Sequence, residues 1–123
     1  MNYIKYFIDE KNQTVLIVSG CSRRCKNCPN PKTQDYRSGN RFDDNAKKSL
    51  FELLSESDGI VISGGDPMYI SNRSETIELM KEVRKNFPDK PITLRTGYSL
   101  SQLKSLPAGS EVCQLADKII EKK

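Results

Sequence analysis

The sequence predicts an α/β fold built on mainly parallel strands. Three observations point there. Short β-rich runs alternate with helical stretches, the connections between successive runs are about a dozen residues or longer, and each loop of unusual composition follows a strand. Long crossovers are what parallel pairing requires, and they are right-handed almost without exception. In such sheets ligands bind at the carboxyl edge, where strands end in loops.

The elements follow in order. Thr14-Val15-Leu16-Ile17-Val18-Ser19 reads as a buried strand, because nearly every position is β-branched or apolar, and Gly20 ends it. Residues 21–41 are polar with two prolines and Gly39, which is loop composition. Asp43 and Asp44 suit a helix start, and Ala46, Leu50, Leu53 and Leu54 then share one face. Gly59-Ile60-Val61-Ile62-Ser63 is a second strand, running into Gly64-Gly65-Asp66-Pro67. The next helix is expected near Asn72, with Asn72 as its cap, Glu75 completing a capping box, and Ile77, Met80, Val83 and Phe87 as its apolar stripe. Pro88 and Pro91 bracket a turn before a third strand, Ile92–Thr96, which breaks at Gly97. A short helix carries Leu100, Leu103 and Leu106 and stops at Pro107-Ala108-Gly109. The tail from Glu111 fits two patterns: helical spacing of Val112, Leu115 and Ile119, or a last strand at 117–121.

Composition narrows the chemistry. The chain has 123 residues, a one-domain length, and residues 1–123 are expected to form a single domain. Its 20 Lys and Arg against 16 Asp and Glu leave a formal charge of +4, too mild for a nucleic-acid partner without a clustered basic face. The apolar share is 36%, below the globular norm of roughly 45–50%, so a modest core completed by a cofactor or partner is expected. The absence of His excludes a Ser-His-Asp triad, a Cys-His pair and any His-ligated zinc site. No stretch approaches about 18 apolar residues, so no membrane span or leader is expected. A reducing, cytoplasmic setting follows, in which the 4 cysteines read as metal ligands or reactive thiols rather than disulfides.

Cys21, Cys25 and Cys28 form C-x3-C-x2-C directly after the Thr14–Ser19 strand. Three thiolates on so short a loop wrap one soft metal centre, and iron–sulfur and zinc both meet that description. Structural zinc wants four ligands. Without His the fourth would be Cys113, 85 residues beyond Cys28, or a carboxylate. Cys113 reads more simply as a small buried apolar residue. The basic residues Arg23, Arg24 and Lys26 read as a solvated loop face. Gly64-Gly65-Asp66-Pro67 has a plain reading as a tight turn whose Asp caps the coming helix. It also has a functional one, in which missing side chains let backbone carbonyls approach a bound ammonium.

C-x3-C-x2-C after a strand resembles the signature of the radical S-adenosylmethionine (SAM) superfamily. Met1-Asn2-Tyr3, Val18-Ser19-Gly20-Cys21, Asn30, Ser38-Gly39 with Phe42, Ser63-Gly64-Gly65-Asp66-Pro67 and Thr96-Gly97-Tyr98 stand in one order. Together they resemble the activating proteins of anaerobic (class III) ribonucleotide reductase, from the start to about Ile120.

The resemblance implies an open partial (β/α) barrel of radical SAM type. It is shortened at the C-terminus, since relatives continue past a strand like 117–121 while this chain stops at Lys123. It implies a [4Fe–4S] cluster on Cys21, Cys25 and Cys28, whose open iron binds the amino and carboxylate groups of SAM. Asn27, Cys28, Pro29, Gly64, Gly65 and Asp66 are the implied cofactor contacts, with Gly64-Gly65 gripping the amino group. No catalytic side chain is expected beyond the cluster ligands. Arg95 either meets the SAM carboxylate or points outward. The implied partners are the large subunit of the reductase, on which a glycyl radical is made, and an electron donor such as flavodoxin.

Two positions depart from the resembled pattern. Arg23 stands where His is usual, and Pro29 stands where an aromatic approaches the adenine. Residues 9–13, Asp-Glu-Lys-Asn-Gln, also replace a glycine-rich turn. The competing readings are another glycyl-radical activase, a 7-carboxy-7-deazaguanine synthase, a cluster-binding relative without activity, and a zinc-binding interaction module.

Overall fold

The structure is a computed structural model that describes residues 1–20, 39–70, 72–106 and 109–121. In chain order the elements are β1 (Asn2–Ile8), β2 (Thr14–Val18), β3 (Asn40–Arg41), α1 (Asp44–Glu56), β4 (Ile60–Gly64), α2 (Arg73–Asn86), β5 (Ile92–Thr96), α3 (Leu100–Ser105), α4 (Gly109–Leu115) and β6 (Lys118–Glu121). The strands form one six-stranded sheet in the order β3-β1-β2-β4-β5-β6. The run β2-β4-β5-β6 is parallel, while β1 lies antiparallel to both β2 and β3. An α/β fold with mainly parallel strands is therefore present.

The three strands read from the sequence form almost where expected, and both readings of the tail are realised in succession as α4 and β6. The sequence reading began the sheet at Thr14, and β1 and β3 correct it. β1 shows no clean alternation in sequence, because its register shifts between Tyr3 and Lys5 and the apolar Phe7 lies on its exposed face, and β3 is only 2 residues long. The turn that joins β1 to β2 works without glycine. Asp9 Oδ1 accepts from the N–H groups of Lys11 and Gln13, both at 3.0 Å. Asn12 takes the positive φ, +59°, that the turn needs, a region Asn tolerates better than most residues.

Register partners in a parallel pair point to the same face. Leu16 pairs with Ile62 and Ile62 with Leu94, and all three are fully buried, as are Val18, Ile60 and Ile92 to within 1%. Ala46, Leu50 and Leu54 of α1, Ile77, Met80 and Val83 of α2, Leu103 of α3 and Val112 of α4 complete the same core. The other face is different. Val15, Ile17, Val61 and Thr93 are half-buried there, and Arg95 is exposed. The sheet is covered on one side only among the described residues. The order of the parallel strands explains why. Each crossover from β2 to β6 moves one place in the same direction, and right-handed crossovers that never reverse put their helices on one face.

The helix ends are secured by side chains. Asp43 caps α1 by accepting from the Ala46 N–H at 2.9 Å, as its sequence position implies. At the other end of α1, Lys90 Nζ donates to the carbonyls of Leu54 and Ser57, a cation where the helix dipole favours one. Phe87 stacks edge-on against Phe51 with ring centres 5.9 Å apart, joining the end of α2 to α1. Leu100, expected on the apolar stripe of α3, is instead 55% exposed, because Ser99 and Gln102 close a capping box that starts the helix with Leu100 outward.

Asp117 joins the last strand to the rest. Its Oδ2 accepts from Arg84 Nη2 and from the Ile92 N–H, each at 2.7 Å, and its own N–H donates to the Ile92 carbonyl at 2.8 Å. The hydrogen bond from the Arg84 guanidinium, helped by the Ile92 N–H, holds the carboxyl below the usual carboxylate range. A lowered folded-state pKa makes this contribution complete above the unfolded value of about 3.9, and it fades as pH falls through the folded-state pKa. The Asp117→Asn variant is expected to melt a few degrees lower than wild type at pH 7. That corresponds to roughly 1 kcal/mol or less for a partly exposed pair. The two melting curves should converge as pH falls through the lowered folded-state pKa.

Candidate functional site

The carboxyl ends of β2, β4 and β5 are tied together by backbone and by one carboxylate. Gly64 is the register partner of Val18 and sits at φ +120°. A Cβ at Gly64 would overlap the Val18 backbone N and O, so the close approach of the two strand ends requires glycine. Beyond it, the Gly65 N–H donates to the Val18 carbonyl at 2.9 Å, and the Asp66 N–H donates to the Gly20 carbonyl at 2.6 Å. These bonds fix the glycine loop against the residue that directly precedes Cys21.

Asp66 then reaches across to β5. Its side chain is 1% exposed. Oδ1 accepts from the Met68 N–H at 2.9 Å and from Thr96 Oγ1 at 2.7 Å, and Oδ2 accepts from the Gly97 N–H at 2.9 Å. Thr96 Oγ1 in turn accepts from the Tyr98 N–H at 3.2 Å. A buried carboxylate is tolerated because it is supplied with donors on both oxygens. The plain expectation that Asp66 caps the following helix is corrected: the carboxylate turns its own loop at Met68 and clamps the loop after β5. Thr96-Gly97-Tyr98 likewise does more than stop a strand, since two of its groups are held by Asp66.

Asn72 also departs from expectation. It occupies the N-cap position of α2 with helical backbone angles and makes no side-chain cap bond. Its Nδ2 donates instead to the carbonyls of Ser19, at 2.6 Å, and Asp66, at 3.1 Å. Glu75, expected to complete a capping box, pairs with the Met1 ammonium at 2.6 Å and with Arg41 at 3.4 Å. The capping pattern in sequence was satisfied by residues with stronger long-range partners.

Of the expected site residues, Gly64, Gly65 and Asp66 are brought together with Gly20 and Gly97 at one edge of the sheet. Cys21, Cys25 and Cys28, with Asn27 and Pro29, lie outside the described residues, as does Arg23. Arg95 is exposed on the face without helices. Cys113 is half-buried on α4, packed against the core rather than fully enclosed. Among the described residues no three His, Cys, Asp or Glu side chains converge on a metal position. No described helix is long and apolar enough to cross a membrane. Sequence reasoning missed the role of Asn72 and the Asp66 clamp. The signal available for the clamp was the recurrence of Thr, Gly and Asp at adjacent strand ends.

The ends of β2, β4 and β5 meet at this edge, with Gly20, Gly64-Gly65 and Gly97 at their junction. Among the described residues, Asn72 Oδ1 is buried with no hydrogen-bond partner. Comparison with known proteins bears on the same region. Residues 11–123 match the family described as 4Fe-4S single cluster domain. The chain is 39% identical over 113 residues to the anaerobic ribonucleoside-triphosphate reductase-activating protein of Enterobacteria phage T4, covering 90% of this chain and 70% of that one. The protein of the same name from Vibrio cholerae serotype O1 is 38% identical over 112 residues, covering 84% and 72%. That from Escherichia coli K12 is 32% identical over 132 aligned positions, covering 100% and 84%. No solved structure gives a significant match.

The clamp makes a strong demand on stability. Replacing Asp66 by Ala leaves the Met68 and Gly97 N–H groups and the Thr96 hydroxyl buried without their acceptor. Asp66→Ala is expected to lose about 3 kcal/mol or more in denaturant unfolding, against about 1 kcal/mol for Thr96→Val. Equal losses in the two variants would show that the carboxylate is not the centre of the clamp.

Proposed function

The chain belongs to the 4Fe-4S single cluster domain family and to the anaerobic ribonucleoside-triphosphate reductase-activating proteins, and on that premise we propose that it is a radical SAM activase that installs a glycyl radical on the large subunit of anaerobic ribonucleotide reductase. The observation that carries the reading is the bond from the Asp66 N–H to the Gly20 carbonyl, which sets the glycine loop against the start of the cysteine loop. One small site at the carboxyl edge then serves both cluster and SAM.

In this reading Cys21, Cys25 and Cys28 hold a [4Fe–4S] cluster, and the three-cysteine set leaves one iron open. When bound, the reduced cluster supplies the electron that cleaves SAM to methionine and a 5′-deoxyadenosyl radical, which takes hydrogen from the Cα of a glycine in the reductase. The protein's own part is binding and exclusion of side reactions. Gly64 and Gly65 present backbone to the methionyl amino group, Asp66 holds that backbone in place, and Asn27 and Pro29 flank the ligand beside Cys28. Arg95 lies on the uncovered face of the sheet, where a carboxylate can reach it. Radical hydrogen abstraction needs no general base, which suits a chain without His.

The single direction of the crossovers and the uncovered sheet face support an open partial (β/α) barrel over residues 1–123, with that face as its interior. An open barrel of this kind would admit a large protein substrate. A reducing cytoplasm and a flavodoxin-type electron donor complete the proposal.

Anaerobic reconstitution with iron and sulfide, followed by metal analysis, tests the site. Wild type and Cys113→Ala should each carry one cubane cluster, and Cys25→Ala should carry none. With a strong reductant, wild type should convert SAM to 5′-deoxyadenosine and, mixed with its reductase, give a glycyl radical signal in electron paramagnetic resonance. A colourless protein carrying one zinc, lost on Cys113→Ala, overturns the activase in favour of a four-cysteine zinc module.

A further inference from the structure

Asn72 is fully enclosed, 1% exposed, and its amide orientation is determined by its neighbours. Both Nδ2 hydrogens go to backbone carbonyls, Ser19 at 2.6 Å and Asp66 at 3.1 Å. A carbonyl cannot donate, so exchanging Nδ2 and Oδ1 would set oxygen against oxygen twice. Oδ1 is therefore a buried acceptor, and no donor among the described residues meets it. Such an atom costs about 1–3 kcal/mol if left unpaired, and folded proteins rarely leave one so. A donor is expected to arrive with whatever binds here.

The surroundings say what kind of donor. The Ser19 carbonyl ends β2, the Gly20 carbonyl receives the Asp66 N–H, and the Asp66 carbonyl receives both the Tyr69 N–H, at 3.1 Å, and Asn72. Two of these oxygens bond the same amide that carries Oδ1, so the orphan acceptor sits among carbonyl dipoles. A cationic donor with more than one N–H gains most there. Asn72 also joins Ser19, directly after β2, to Asp66, in the loop after β4.

We propose that Asn72 is a binding residue for the amino group of the SAM methionyl moiety, with Oδ1 as acceptor and Nδ2 holding the Ser19 and Asp66 carbonyls in place; this rests on the SAM reading above. It adds a side-chain contact to the backbone contacts expected from Gly64 and Gly65, and it gives the N-cap of α2 a task that its own helix does not require.

The test is a cycle on protein and ligand, read by anaerobic calorimetry on cluster-loaded protein. Wild type and Asn72→Ala are each titrated with S-adenosylhomocysteine and with its desamino counterpart, and Asn72→Ser serves in place of Asn72→Ala if that variant does not fold. Removing the ligand amine should weaken wild type by about ten-fold or more and the variant by several-fold less, since the variant has lost the Asn72 bond and keeps only those of the glycine loop. An equal penalty in wild type and variant overturns the contact while leaving SAM binding intact. A wild type that binds neither ligand overturns the contact and the SAM reading together. Loss of the cluster in both variants at near wild-type melting temperature overturns it too, and assigns Oδ1 to a donor in the cysteine loop.

Discussion

The Asp66 carboxylate is the interaction on which the site depends. A buried charge survives only when donors surround it, and here the donors come from two different strand ends. The same residue's N–H and carbonyl reach the end of β2, through Gly20 and through Asn72. One residue thus collects the ends of β2, β4 and β5, which would otherwise be three loops free to drift. Gly64 makes this possible, because a Cβ there would push β4 away from β2 and break the register from which Asp66 starts.

Strand order decides what this clamp is worth to function. A sheet that winds in two directions would bury both faces under helices and leave only a crevice. This one winds in a single direction beyond β2, so its clamped edge opens onto a face that carries Ile17, Val61, Thr93 and Arg95 without covering helices among the described residues. The low apolar share of the sequence is the same fact seen as composition. A one-sided sheet needs fewer apolar residues than a sheet packed on both sides.

Much of this was legible in sequence, and the division follows the range of the interactions. Strands β2, β4 and β5 announce themselves by runs of β-branched residues, and Asp43 caps α1 because the partner N–H is three residues away. The meeting of the Gly64–Pro67 loop with Gly97-Tyr98 was legible too, from the rule that parallel strands end together. What failed were local patterns with distant partners. Asn72 and Glu75 have capping-box spacing, yet Ser19 lies 53 residues from Asn72 and Met1 lies 74 from Glu75. A cap bond is worth about 1 kcal/mol. A buried amide that meets two carbonyls, or a carboxylate that meets an ammonium, outweighs it. β1 escaped notice because a register shift between Tyr3 and Lys5 breaks its alternation and the apolar Phe7 stands on its exposed face.

The absence of His and the crowding of carbonyls at the strand ends belong to one argument. A site built for acid–base chemistry needs a side chain that changes charge near neutral pH. This edge instead carries groups of fixed charge: the backbone carbonyls of Ser19, Gly20 and Asp66, already bonded to N–H donors, and Asn72 Oδ1, which has no partner among the described residues. Fixed acceptors do not react. They select a cation and hold it in one orientation, and they cost no reorganisation once the fold has set them. That division of labour fits a protein whose reactive chemistry resides in a bound cluster, and it explains why the most constrained residues described here, Gly64, Asp66 and Asn72, shape the floor of the site.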